Sequence, residues 1–398
     1  MKILMLTTKY SRGASSPWLT NELAEELKFN GYEITVLCID WKSESTPGAS
    51  SIEGISLINF PPSYFINEYL PQSIRKTFKW ILSSIFAYNY FSRFTNLKEF
   101  DILICFSPCF PFWFCILKLR FIVAKRIIIY WDFFPIHQFE IGKFQTRWLL
   151  KPAFFIEKFL LSTFSNVGCM SPKNIIFFKN YFLLKNKVKV FEMPIWGKKY
   201  PILKTLVTNP SLIRNAYPYE TLIVFGGQLE KGRGIDTLIL IAEQLKSRNQ
   251  NIGIVIAGEG PLGNIVLNAS KDGLHNLIYL GSIPRDEYLQ FIHTCDLGVI
   301  TTQMDVSVPT YPSKCIDYLL SSLPIIAFVE KSTDFGSIIQ DAGCGVFFQS
   351  NNVNDLTDKL IALANDDIQL DKMRLSCLSF FERRHNVSIV AKNLINEF

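Results

Sequence analysis

The chain opens with an apolar run, Lys2–Thr8, that gives way at Ser11–Ser16 to small, turn-forming residues. Leu19, Leu23 and Leu27 then recur at i, i+4 and i+8 with Glu22, Glu25 and Glu26 around them, which marks one apolar face of a helix. Gly31 is placed to end that helix, and Glu33–Ile39 is apolar again. A strand, a short loop, an amphipathic helix and a second strand form the opening unit of a parallel α/β sheet.

The pattern continues with strands expected at Asp101–Phe106, Arg126–Trp131, Val167–Met170 and Lys189–Glu192, and a helix over Arg147–Phe164. Ile102–Leu117 is the stretch nearest to a membrane span, but Pro108, Pro111 and Lys118 interrupt or close it, and it falls short of the roughly 20 residues a spanning helix needs. It reads as a strand, Ile102–Phe106, a proline loop and the start of a helix. Lys198–Glu220 holds Pro201, Pro210 and Pro218 and no clean period, so the boundary between two domains is expected there.

Beyond it the alternation resumes. Thr221–Phe225 is a strand, Gly226–Gly234 a glycine-rich turn, and Ile235–Lys246 a helix with apolar positions at 235, 238, 239, 242 and 245. Ile254–Ala257, Leu277–Leu280, Leu297–Ile300 and Pro324–Phe328 are further short apolar strands. The expected architecture is therefore two doubly wound, Rossmann-like α/β domains, residues 1–200 and 201–375, with a C-terminal helix within 376–398 returning to the first.

Length agrees, since 398 residues suit two domains of about 150–200 residues each. Nine scattered cysteines without a CxxC pair, and only four histidines, exclude zinc and iron–sulfur sites on ligand spacing and fit buried thiols in a reducing compartment. No export signal is visible at the start of the sequence. Charge changes the picture more. Residues 1–200 hold 25 Lys+Arg against 14 Asp+Glu, whereas residues 201–398 hold 16 against 21. Phenylalanine divides the same way, 25 against 9. A basic, aromatic half points to an anionic surface as partner. Ile74–Leu82 and on to Phe94 mixes Arg75, Lys76 and Lys79 with Trp80 and several Phe, the composition of a helix lying on a membrane; an aromatic face turned into the core is the alternative. Nucleic acid is not expected, because no recognition motif accompanies the basic residues.

Three motifs at strand ends in the second half carry candidate chemistry. Gly226-Gly227-Gln228-Leu229-Glu230-Lys231-Gly232-Arg233-Gly234 lets a ligand approach the backbone, offers helix N-terminal amides to an anion, and adds the Arg233 fork for a phosphate. An ordinary tight turn is the alternative. It is not the six-residue dinucleotide fingerprint, so no nicotinamide cofactor is implied. Gly258-Glu259-Gly260-Pro261 is either a plain strand-to-helix turn or the lining of a nucleobase pocket. In Pro309-Thr310-Tyr311-Pro312-Ser313-Lys314-Cys315-Ile316-Asp317, Pro312 suits the first position of a helix that puts Ser313 and Asp317 on one face. The hydroxyl and free amides suit a phosphate, and the carboxylate can accept two ribose hydroxyls; a capped helix with a solvated Lys–Asp edge is the alternative. In the first half, Asp132, set among Tyr130, Trp131 and Phe133, is either a group that orients or deprotonates an acceptor hydroxyl or a helix cap. His137 reads as a surface histidine. Arg12 and Gly13 are either a phosphate-reaching loop or simply a flexible one.

Taken in order, these motifs resemble the retaining glycosyltransferases of family 4, over nearly the whole chain. The family's glycine turn matches Gly227 through Arg233-Gly234-Ile235-Asp236, its GxGP turn matches Gly258–Pro261, and its acid-bearing helix with a proline seven residues on matches Asp317 and Pro324. Pro-Ser-Lys before the acid is similar to the branch that builds bacterial surface polysaccharides such as O-antigen and capsule. The resemblance implies a GT-B fold, with two Rossmann-like domains facing across a cleft. It also implies metal-independent transfer of a sugar, with retained configuration, from a nucleoside diphosphate held by the second domain. A UDP-sugar is favoured as co-substrate, a glycan or lipid-linked glycan as acceptor, and the inner face of the plasma membrane as location. Arg233 is then a diphosphate ligand and Asp317 the ribose ligand, with Ser313 and Lys314 by the phosphates and sugar. Gln228 stands where the family usually has Arg, Pro309 where it has a first acid, and Ser322 where it has glycine. Two alternatives share the architecture. A sugar-nucleotide 2-epimerase needs carboxylates and a histidine in its site, and a non-catalytic partner subunit is favoured by Gln228 and Pro309.

Overall fold

Lys2–Thr7 (β1) is apolar at nearly every position because the sheet it centres is covered on both faces. Around it lie Glu33–Ile39 (β2), Gly48–Ile52 (β3), Ile55–Phe60 (β4), Ile102–Phe106 (β5), Lys125–Tyr130 (β6), Asn166–Cys169 (β7) and Lys189–Glu192 (β8). Their order is β3-β4-β2-β1-β5-β6-β7-β8, and the register runs parallel except for the β3–β4 edge pair. The structure, a computed structural model, describes residues 1–11, 18–41, 47–62, 72–143, 146–184, 188–199, 214 and 216–398, with the backbone alone for 72–80.

The second sheet is built from Thr221–Gly226 (β9), Ile252–Ala257 (β10), Leu277–Gly281 (β11), Leu297–Thr301 (β12), Ile325–Phe328 (β13) and Gly345–Phe348 (β14). All pair in parallel, in the order β11-β10-β9-β12-β13-β14. The order reverses between β9 and β12, and in such sheets ligands bind outside the carboxyl ends at this switch point. One apolar cluster under this sheet includes Ile223, Phe225, Ile256, Val299 and Phe328, packed by Leu238 and Leu245 of the helix Ile235–Ser247 and Leu356 and Leu360 of Val353–Ala364. Each such side chain contributes roughly 1.5–3 kcal/mol on burial.

The chain divides into two compact units: Met1–Phe139, Gln145–Pro194 and Val387–Phe398 form one, and Glu140–Phe144 with Ile195–Asn386 the other. The crossings fall at Pro194/Ile195 and Asn386/Val387, whereas the sequence pattern placed them at 200/201 and 375/376. A physical reason is visible inside the second unit. His385 is buried, its Nδ1 lies 2.6 Å from the Ile195 carbonyl and Gly197 donates to the His385 carbonyl, so both ends of this unit close on each other before the chain leaves it. Most of the proline-rich stretch expected to be the linker, 200–213 and 215, lies outside the described residues. Within the first unit the terminal helix Val387–Ile395 packs on the helix Leu19–Phe29, and Glu397 accepts from Asn166 and Lys189.

Three strands have no counterpart in the sequence pattern. β3 is an exposed Gly-Ala-Ser-Ser-Ile edge with no alternation, β14 has only four residues, and β4 is a lone run between Gly54 and Pro61. All nine cysteines are buried free thiols.

Candidate functional site

The site grows from the end of β9, at the switch point of the second sheet. There Gly226 leaves no room for a side chain, because a Cβ would run into the Tyr288 hydroxyl. Gly227 follows at φ 126°, and it and Gln228 are both exposed. The turn is held from beneath by the second glycine motif. Gly227 donates to the Ala257 carbonyl at 2.9 Å, Leu229 to the Glu259 carbonyl at 2.9 Å, and Leu262 to the Leu229 carbonyl at 3.0 Å. Gly258 sits at φ 144°, and a Cβ there would strike the Gly227 carbonyl oxygen. The glycines of the Gly258–Pro261 turn are thus accounted for by two backbones packed against each other, and the exposed Glu259 contributes its carbonyl.

The far end of the turn is pinned to β12. Thr301 Oγ1 donates to the Arg233 carbonyl at 2.6 Å, and the Gln303 amide to the Gly232 carbonyl at 3.2 Å. The Arg233 side chain, 44% exposed, reaches Glu230 at 3.6 Å, and the other Glu230 oxygen binds Lys143 at 2.6 Å. Lys143 belongs to Glu140–Phe144, the short stretch of the first half that counts with the second unit. Glu140 in the same stretch accepts from the Ser307 amide and hydroxyl and the Val308 amide.

The third motif supplies the cation. The regular helix opens at Cys315, three residues later than Pro312 suggests, because the Cys315 and Ile316 amides turn back onto the carbonyls of Pro312 and Ser313 in a tight start. Lys314 therefore stands at the N-cap position. Its Nζ is buried 3.3 Å from the Phe225 ring centroid, with no hydrogen-bond acceptor, and its Cε is the heavy atom nearest to where a Gly227 Cβ would lie. Burial, reinforced by the nearby Arg233 charge, pushes the Lys314 ammonium well below the ordinary lysine value. Ser313 is exposed. Asp317, one turn on, is gripped by Arg285, Nη2 to Oδ1 at 2.6 Å and Nη1 to Oδ2 at 3.1 Å. Tyr318 passes back under the sheet, its hydroxyl 3.0 Å from the Val224 carbonyl.

Pro309 is buried, and Thr310 is fixed by Glu330, whose Oε1 accepts from the Thr310 amide and hydroxyl at 2.7 Å each, while its Oε2 accepts from Thr302 at 2.5 Å. Glu330 itself is fully buried. The structure thus brings Gly226, Gly227, Gln228, Arg233, Thr310, Ser313, Lys314 and Asp317 to one end of the second sheet, with Gly258 and Glu259 as the support of the first turn. Sequence reasoning missed Arg285, Glu330, Glu140 and Lys143. Arg285 and Glu330 each follow a strand's carboxyl end, which is a usable signal; nothing in the sequence marks the other two.

In the first unit, Asp132 lies just past β6 with an exposed carboxylate that accepts no hydrogen bond among the described residues, so it does not cap the helix Ile136–Glu140. The Ser107 hydroxyl accepts from the Trp131 and Asp132 amides at 2.8 and 3.2 Å and so fixes the loop. Arg12 and Gly13 lie outside the described residues. No group of three or more metal-ligating side chains occurs among the described residues.

Residues 213–376, which contain this site, match the family model of glycosyl transferases group 1. The chain is 25% identical over 171 residues, 41% of its length, to a poly(ribitol-phosphate) alpha-N-acetylglucosaminyltransferase of Staphylococcus aureus, covering 32% of that protein. It spans less than half the length of each of the curated relatives named by such matches. Solved structures are similar over the whole chain: sucrose-phosphate synthase from Thermosynechococcus elongatus, with a TM-score of 0.75, 12% identity, 100% of this chain and 98% of that one, and HepE of Anabaena in complex with UDP, with a TM-score of 0.67, 13% identity, 100% and 99%. At these identities the likeness is one of fold: the chain has the two-domain GT-B fold, and its second sheet carries the region similar to glycosyl transferases group 1.

Proposed function

We propose that this protein is a glycosyltransferase that moves a sugar from a nucleoside diphosphate to a glycan acceptor in the synthesis of a cell-surface polysaccharide. The observation that carries this reading is the Lys314 ammonium, buried at the glycine turn with no acceptor of its own. A cation so placed is costly until an anion arrives. Arg233 stands at the other side of the turn with exposed surface, so a diphosphate lying on the Gly227–Gln228 backbone meets two cations. Lys314 thereby takes the place of the arginine missing at Gln228. As the glycosidic bond to the diphosphate breaks, negative charge grows on the leaving oxygen, and the two cations with the backbone amides stabilise it. Asp317 keeps lone pairs for ribose hydroxyls beyond the two oxygens' bonds to Arg285. Asp132 orients or deprotonates the acceptor hydroxyl.

The match of the donor region to group 1 and the likeness to a structure holding UDP favour a UDP-sugar, with transfer that retains configuration and uses no metal. The staphylococcal relative's name, a transferase onto poly(ribitol-phosphate), favours a surface polymer or its lipid-linked precursor as acceptor, and hence attachment at the inner face of the plasma membrane. Among the described residues no helix is long and apolar enough to cross a membrane. Thermal shift with UDP, GDP, dTDP and CDP, followed by hydrolysis of the corresponding donor sugars, tests the reading. Stabilisation by one diphosphate and slow release of its sugar are expected; no response to any of the four removes it.

A further inference from the structure

We propose that the helix Leu150–Leu161 is a membrane-docking face that inserts aromatic side chains into an anionic lipid bilayer. This deepens, and rests on, the proposed membrane attachment, and it places the contact on a different segment from the one the sequence pattern singled out, since the side chains of 72–80 lie outside the described residues. The helix buries Glu157, Leu160 and Leu161 against the first unit, and Phe154 stacks on Phe182 of the neighbouring helix Pro172–Phe182. Its outward positions are where a globular surface carries polar groups. Here they are aromatic: Phe155 is 63% and Phe159 52% exposed, and Trp148 in the turn just before the helix is 75% exposed. Positions 155 and 159 stand at i and i+4 and so share one face of the helix, and Trp148 stands in the turn that leads into it. The adjacent helix adds Ile176, 58% exposed, and Leu183 just beyond its end, 70% exposed. Scattered exposed apolar residues need no explanation, but two exposed aromatics one turn apart on a helix, with further exposed apolar side chains on its neighbour, mark a contact surface.

Charge selects the occupant. From Thr146 to Leu184 the chain carries Arg147, Lys151, Lys158, Lys173 and Lys179 against one carboxylate, Glu157, and that carboxylate is fully buried. Lys151 and Lys179 are exposed and form no ion pair among the described residues. Tryptophan and phenylalanine on one side with Lys and Arg around them, and no exposed acid, is the surface that anionic headgroups attract and acyl chains accept. A protein partner of the same fit would need an acidic rim around an apolar groove; the bilayer supplies both without a matched shape.

The test is flotation of the full chain with vesicles of phosphatidylcholine alone or with 30% phosphatidylglycerol, at low and high salt. Binding is expected only to the anionic vesicles and is expected to weaken as salt rises. Phe155→Ser with Phe159→Ser, and separately Lys151→Glu with Lys158→Glu, should each lower partitioning by about tenfold or more. Ile368→Ser, which removes an exposed apolar side chain from the second unit, should leave it unchanged. These sites are on the surface, so circular dichroism and the thermal response to UDP should match the parent. If the parent chain ignores anionic vesicles at low salt, both this face and the membrane reading fail, while the UDP response judges the donor reading separately. If the parent binds and the Phe155/Phe159 variant binds equally, the face is wrong and the membrane reading stands. If the parent sediments as a dimer that the variant dissolves, and neither binds vesicles, the face belongs to a second copy and the proposal is overturned.

Discussion

Arg285 holds Asp317 with both terminal nitrogens, at 2.6 and 3.1 Å, and so fixes the carboxylate at the start of the helix Cys315–Leu320. A bidentate fork of this kind is stronger and more directional than a single ion pair. The carboxylate is 15% exposed and the guanidinium 33%, so solvent screens the pair only in part. Arg285→Ala should therefore cost about 1–3 kcal/mol of stability, read in a denaturant titration, by leaving a nearly buried charge without its partner. Asp317→Asn should weaken a nucleoside more than pyrophosphate, since the carboxylate is assigned to ribose. Equal losses in calorimetric titrations of the two ligands would move Asp317 to a structural role.

Lys314 makes opposite demands on the empty and occupied protein. Replacing it with Met keeps much of the side-chain volume and removes the stranded charge, so the empty protein should be as stable as the parent or more so, while UDP affinity falls by at least tenfold. The ammonium value is depressed in the fold, so between that value and the ordinary lysine value the unfolded chain binds more protons. Stability of the empty protein therefore rises with pH across that window. A bound diphosphate restores the charged form, so binding takes up a proton there and weakens as pH rises. Calorimetry in buffers of different ionisation enthalpy reads that proton, and a binding enthalpy independent of buffer would contradict the assignment.

Glu230 shares its carboxylate between Lys143, at 2.6 Å, and Arg233, at 3.6 Å. A diphosphate must compete with it for Arg233. Arg233→Ala should weaken UDP binding by about 1.5–3 kcal/mol with little change in melting temperature, because the side chain is close to half exposed. Glu230→Gln should instead tighten it several-fold, an outcome that a merely structural Glu230 would not produce.

Asp132 carries the acceptor half of the proposal. Its exposed carboxylate bonds to nothing among the described residues, which suits a group waiting for a hydroxyl. Asp132→Asn should leave UDP binding intact and lower turnover by about a hundredfold or more, the usual scale for a proton-transfer group. Unchanged turnover in a transfer assay would return it to an ordinary loop residue.

Much of this organisation is legible in the sequence because both sheets are centred on buried parallel strands. β2 falls on the expected residues, and the strand, proline loop and helix of Ile102–Leu117 are found as expected, because a run covered on both faces is apolar throughout; β8 also falls on its expected residues, although it is an edge strand with no buried residue. The outer strands β3 and β14 are not legible, since they are short and half exposed and lack that signature. The same division holds at the site. Gly226, Gly227, Arg233, Lys314 and Asp317 sit in glycine turns or helix starts whose local chemistry shows in the residue types. Arg285, Glu330 and Glu140 act on partners 20 to 168 positions away, and only the fold brings them there. Likewise, the glycines of Gly258–Pro261 look like a ligand-facing turn in sequence, whereas packing on the Gly227 backbone suffices to require Gly258.

Two buried groups, one in each unit, give pH dependences of opposite sign. Glu157 lies under the loops after β5 and β6, with Oε1 accepting from the Cys109 amide at 2.8 Å and Oε2 without a partner. Burial raises its carboxyl from an ordinary 4.5 to about 7, against the pull of the Cys109 amide. His385, buried between the Ile195 carbonyl and the Tyr311 hydroxyl, is held down by burial from an ordinary 6.5 to about 4. Below 4.5 Glu157 is protonated folded or unfolded; as pH rises to 7 the unfolded chain ionises first and stability is lost, by about 3 kcal/mol. Above 6.5 His385 is neutral in both states; as pH falls to 4 the unfolded chain takes the proton first and again about 3 kcal/mol is lost. The variants separate the two. Relative to the parent, Glu157→Gln should gain thermal stability between pH 5 and pH 7, because it lacks the carboxylate penalty that grows over that range. His385→Gln should lose relative stability over the same range, because the penalty it escapes is the one at low pH. Melting temperatures of the parent and both variants at the two pH values measure this double difference. A difference that does not change with pH for either variant would show that its parent group does not titrate in the fold as assigned.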